Sequence, residues 1–149
     1  MSKNGFIFPV LCFWVLACLS ATAQCNAKQI VNECKPNIAP YQYDSYTKNQ
    51  LVFDTTKSTT VEVEFTAFQG QEYKLVFRAS QYNEDLTLNI YDNRIGSKNR
   101  RKVCDSENGI GKYWAFAPLK AGTYYIDYEM PKSTGINKTA CVVMLIGYK

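Results

Sequence analysis

Two groups of side chains carry most of the chemistry this sequence can offer. Tyr125, Asp127 and Glu129 alternate along one run, so in an extended chain all three point the same way. A flat aromatic ring beside carboxylates is a platform for a sugar, the ring giving apolar area and the carboxylates accepting hydroxyl hydrogen bonds. Carboxylate pairs such as Asp127 with Glu129, or Glu62 with Glu64, also suit a surface-carboxylate hydrolase, although on an outer strand face such pairs more often keep the strand soluble. The second group is basic: Arg94, Lys98, Arg100, Arg101 and Lys102 place five cations in nine residues. Arg100, Arg101 and Lys102 could meet the phosphates of lipopolysaccharide or an acidic polysaccharide, or simply solvate a hairpin loop. Tyr41, Tyr43 and Tyr46 form a further aromatic cluster that could stack on sugars, though tyrosine is also a good strand former.

Other chemistry is excluded or weak. The chain has no histidine, which removes Ser-His-Asp and Cys-His catalysis, histidine-based zinc sites and imidazole pH switches. It has no GxSxG elbow and no phosphate loop, and 109–112 is too short to cradle a phosphate. Asp92-Asn93 and the stretch 105–109 offer oxygens to calcium, but neither follows an EF-hand pattern and turn chemistry explains both. The expectation is therefore a protein that is not an enzyme, with no metal and no cofactor.

Compartment is legible at the start of the chain. Residues 1–23 read as a secretory signal peptide: Lys3, an apolar run over 6–19, then Ala21-Thr22-Ala23 as a small-x-small cleavage site. The run is shorter than the ~20 residues a membrane-spanning helix needs, so no transmembrane helix is expected after cleavage. A competing reading takes 15–18 as a lipobox that would make Cys18 the lipidated first residue of an anchored structural protein. Removing 23 of the 149 residues leaves 126, a net charge of +3 in place of +4, and four cysteines: Cys25, Cys34, Cys104 and Cys141. An exported chain with an even cysteine count is expected to carry disulfides. If 26–34 is a helix, Cys25 and Cys34 lie about 13 Å apart, beyond the ~7 Å a disulfide tolerates, and both reach into the body. If it is a turn, Cys25 with Cys34 and Cys104 with Cys141 is the simplest set.

These side chains need strands to hold them. After a weak helix over 26–34 ended by Pro36, residues 36–49 read as an extended linker lying along the domain. From residue 50 the apolar period switches to two. Residues 59–68 and 73–77 read as a hairpin with Glu62 opposite Arg78 and Thr66 opposite Lys74. Further strands follow near 86–91, 102–105, 113–116 and 123–130. The last, 140–146, is apolar on both faces, so it should be central, with the segment 25–46 covering the side on which Cys141, Val143 and Leu145 lie. Seven or eight short strands and one weak helix describe an all-β, antiparallel β-sandwich. The division expected is a signal peptide (1–23), a cysteine-bearing segment packing on the domain (24–49) and the sandwich (50–149).

The order Gly70-Gln-Glu-Tyr73-Lys-Leu75-Val-Phe77, then 86–92 (Leu-Thr-Leu-Asn-Ile-Tyr-Asp), Phe116-Ala-Pro118 and 121–128 (Ala-Gly-Thr-Tyr-Tyr-Ile-Asp-Tyr) resembles the bacterial pre-peptidase C-terminal domain over roughly residues 59–147. That resemblance implies a small jelly-roll-like sandwich, usually non-catalytic, that serves secretion or attachment to insoluble substrates. A cysteine-bearing segment precedes the part that carries the resemblance. The function expected is a secreted or periplasmic binding module for a polysaccharide, lipopolysaccharide, envelope component or partner protein. Nucleic acid is not expected, because the chain is exported and its other face is acidic. Asn137-Lys138-Thr139 would be a glycosylation site only in a eukaryotic secretory pathway.

Overall fold

Alternation of apolar and polar residues becomes strand along most of this chain. The computed structural model describes residues 25–80, 86–105, 113–134 and 139–149. In them the chain forms a helix α1 (Ala27–Cys34), a 3-10 turn (Lys35–Ile38) and eight strands: β1 (Gln42–Val52), β2 (Thr59–Ala67), β3 (Tyr73–Ser80), β4 (Thr87–Tyr91), β5 (Lys102–Asp105), β6 (Trp114–Phe116), β7 (Gly122–Met130) and β8 (Thr139–Tyr148). The signal-peptide segment 1–23, the lipobox cysteine Cys18, the stretch 106–112 and Asn137 of the sequon lie outside the described residues.

Two four-stranded antiparallel sheets pack face to face, one ordered β1-β8-β3-β6 and the other β2-β7-β4-β5. First pairs with last, second with seventh, third with sixth and fourth with fifth, and the rolled ladder is closed by β3 with β8 and β4 with β7. This is jelly-roll topology. Between the sheets lie Leu75 and Phe77 of β3, Val142 and Met144 of β8, Leu88 and Ile90 of β4, and Ile126 and Tyr128 of β7, all buried.

β8 is apolar on its other face too, and α1 covers it. Ile30, Val31 and Cys34 of the helix, with Ile38 of the 3-10 turn, pack on Val76, Cys141, Val143 and Leu145. Asn26 starts the helix by accepting the Gln29 N–H on its side chain at 3.3 Å, and Pro36 ends it by starting the 3-10 turn. Seating that turn needs Gly147, where a Cβ would stand 2.6 Å from Cγ2 of the buried Ile38. A disulfide joins Cys25 to Cys141 with Cα atoms 5.5 Å apart.

Two expectations are corrected, and the open choice of disulfides is decided. Residues 59–68 and 73–77 do not form a hairpin: β2 pairs with β7 and β3 with β8, in opposite sheets, so Glu62 stands beside Asp127 and Arg78 beside Val143. Facing sheets turn the same alternate residues inward as a hairpin would, and Phe65 meets Tyr73 across the core with ring centroids 5.3 Å apart, so alternation could not tell the two apart. From Gln42 onward the supposed linker is the edge strand β1, whose mostly exposed positions leave no burial rhythm to read. Of the two readings of 26–34 the helix is the one that forms, so Cys25 and Cys34 both reach into the body; the bridge is Cys25–Cys141 and neither pair of the turn-based set forms. Helix α1 carries Cys34 under itself into the outer cluster, while Cys104 packs against the central core on the far sheet.

Candidate functional site

The outward face of the β2-β7-β4-β5 sheet is polar by register. Glu62, Asp127 and Asn89 form one row across three strands, and Glu64, Tyr125 and Tyr91 form the next. Glu129 accepts a hydrogen bond from the Asn89 amide at 2.7 Å. Onto this face folds the β4–β5 connection, residues 92–101.

Arg100 holds that loop down. Its guanidinium donates to both carboxylate oxygens of Asp127, at 2.7 and 2.8 Å, and to Glu62 at 2.9 Å. The same group lies 3.6 Å from the centroid of the Tyr91 ring, a cation–π contact, and its Nε donates to the Asn93 carbonyl at 2.8 Å. Other bonds lock the loop at both ends. Asp92 accepts the Arg101 backbone N–H at 2.8 Å and the Arg101 Nε at 2.9 Å. Glu62 accepts the Ile95 N–H at 2.8 Å. Gly96, at φ +86°, makes the apex turn in a conformation side chains resist.

Electrostatics follow from burial. Asp127 is 2% exposed, and desolvation pushes its carboxyl above the usual aspartate range while Arg100 pulls it back. Asp92 titrates low, chiefly through the backbone N–H of Arg101. Two carboxylates thus share one guanidinium at the centre of the face. What remains outside is the apex: Arg94 and Lys98 are exposed, as is Ile95 at 51%.

The two groups of residues singled out in the sequence meet here. Arg100 sits on Asp127, so they are parts of one arrangement. Tyr125 is half-buried beside Tyr91, whose ring lies under Arg100. Glu129 is engaged by Asn89. Arg101 turns away to Asp92 at the loop's neck, and Lys102 opens β5 opposite Tyr91. Of the early tyrosines, Tyr41 and Tyr43 pack with the α1 layer and Tyr46 is 44% exposed. Asp92 serves its turn, while 106–109 of the second acidic stretch lie outside the described residues.

Sequence reasoning missed Glu62 as a partner of Arg100, 38 residues away, and Tyr91 as its aromatic support. It also missed Ile95 at the apex. Nothing local marks such a long-range clasp; only the pairing of β2 with β7 and β7 with β4 brings its parts together.

No protein-family model matches the chain, and no curated protein matches it. Among solved structures it is similar to Aeromonas hydrophila PliG, a periplasmic lysozyme inhibitor of g-type lysozyme: the TM-score is 0.46 at 13% sequence identity, over 74% of this chain and 89% of that one. The sandwich implied by the pre-peptidase C-terminal resemblance is present, and membership of that family gains no support from these comparisons.

Proposed function

We propose that this protein is an exported, non-catalytic β-sandwich that binds a partner protein through its 92–101 loop. One observation carries the reading: a surface loop is fixed by the Arg100–Asp127–Glu62 cluster while its apex turns Arg94, Ile95 and Lys98 to solvent. A loop already ordered before binding loses little conformational entropy on contact. An apolar side chain beside arginine is a composition that protein interfaces favour.

A polysaccharide is the second reading, and the same cluster weakens it. Tyr91, which would extend a sugar platform from Tyr125, lies under Arg100, and Asp127 is engaged by the same group. A hydrolase using Asp127 would first have to remove Arg100 from its carboxylate. The Cys25–Cys141 bridge suits an oxidising compartment, which supports a secreted or periplasmic protein. No described helix is long and apolar enough to cross a membrane. Anchoring through Cys18 remains the alternative to a released protein.

The test replaces Ile95 with the photo-crosslinking residue p-benzoylphenylalanine and irradiates the protein in envelopes of its native host. A single cross-linked protein, lost when Arg100→Ala loosens the loop, is the expected result. No protein adduct, together with a saturable rise in melting temperature in a soluble polysaccharide that Tyr125→Ala abolishes, would overturn it in favour of sugar binding.

A further inference from the structure

At the neck of the loop, lined by described residues of β5, β6 and the start of β7, lies a groove of about 510 Å3. That is within the range of small-ligand and side-chain pockets. Val103, Phe116, Leu119 and the ring of Tyr124 supply its apolar surface, and Arg101 and Lys120 stand on its rim. Val103 owes its place to a bulge: Tyr91 pairs with Lys102 and Ile90 with Cys104, so Val103 is the extra residue between them. It is 45% exposed, and Leu119 is 95% exposed. Leu119 thus exposes its side chain beside a second apolar residue and a formed cavity, the kind of surface a partner can cover.

We propose that this groove takes an apolar side chain from an acidic, extended segment of the partner protein. The inference rests on the protein-binding reading above and names the chemistry of the partner. Charge complementarity selects the acidic segment: Arg101 and Asp92 pair with each other, and Lys120 leaves the lining of the groove with one positive charge in excess. Arg101 is 85% exposed in its side chain, so an incoming carboxylate can reach it. Position supports the link, because Asp92 and Arg101 belong both to the groove and to the loop, and one partner can cover both.

The experiment titrates 15N-labelled protein with an acetylated, amidated pentapeptide that has leucine at its centre and two glutamates on each side. Two controls replace the leucine with serine, or the glutamates with lysines. The expected result is saturable movement of the Val103, Leu119, Gly122 and Thr123 amides with the first peptide alone, weakened about tenfold by Leu119→Ser, the loss of one apolar anchor. Leu119 is exposed, so that variant should keep its melting temperature. Equal movement with either control overturns the proposal, as does no movement of the groove amides with any peptide. Binding only to phosphatidylglycerol vesicles would overturn it in favour of a membrane surface. If cross-linking from position 95 succeeds while the groove stays silent, the groove assignment alone fails; if the peptide binds and cross-linking fails, the loop reading falls.

Discussion

Tyr128 places its ring fully inside the sandwich, and its hydroxyl completes no hydrogen bond among the described residues, although Asn49 lies near enough to influence it. Burial raises its pKa far above the ordinary tyrosine value, against a smaller lowering by Asn49. The unfolded chain releases this proton near pH ~10 while the folded chain keeps it, so the folded state holds more protons above that pH and stability falls as pH rises. Tyr128→Phe should flatten the fall in melting temperature between about pH 9 and 11 and leave neutral stability unchanged or higher. An unchanged alkaline slope would count against the assignment. Arg100 works in the opposite sense. Arg100→Ala leaves the buried carboxylate of Asp127 without its cation, at a cost of about 2–4 kcal/mol. The folded-state pKa of Asp127 is already raised, and losing Arg100 raises it further, so the folded chain takes up a proton where the unfolded one does not. The deficit should be largest near neutral pH and shrink toward pH ~4, as urea unfolding at both values would reveal.

The α1 layer depends on two fixings whose removal has separable effects. Gly147→Ala puts a methyl group where Cγ2 of Ile38 already sits, with the Gln42 carbonyl 3.2 Å from the new carbon on another side, and should cost about 1–3 kcal/mol. Adding Ile38→Ala should recover part of that loss, giving less than the sum of the two changes in denaturant unfolding. Replacing Cys25 and Cys141 together by serine opens a bridge between residues 116 apart and should cost about 3–5 kcal/mol. Insensitivity of the wild-type unfolding midpoint to a reducing agent would refute that. The elements themselves were largely legible. β7 and β8 carry clear alternating or two-sided apolar patterns, because burial between layers enforces them. β1 was not legible, because an edge strand with most side chains in water is under no such constraint.

Across the whole molecule, strand positions could be read from the sequence and strand partners could not. The period of two fixes which residues of β2 and β3 turn inward, yet a hairpin and two facing sheets satisfy it equally. Choosing between them takes the pairing of β2 with β7 and β3 with β8, contacts between residues 55 to 75 positions apart in the chain. The same contacts build the candidate site. Arg100 and Asp127 were each visible as residues with chemistry to offer, but their meeting, and the rigid loop that results, exist only once the sheet is assembled. Binding through this loop requires that it be held in place before any partner arrives. Amide hydrogen exchange on the purified protein measures this at the Ile95 and Arg101 N–H groups, which donate to Glu62 and Asp92. Protection of roughly 100-fold or more is expected at both positions, falling toward free-chain rates at Ile95 in Arg100→Ala while the β7 amides stay protected. Exchange of Ile95 at free-chain rates in the wild-type protein would contradict it.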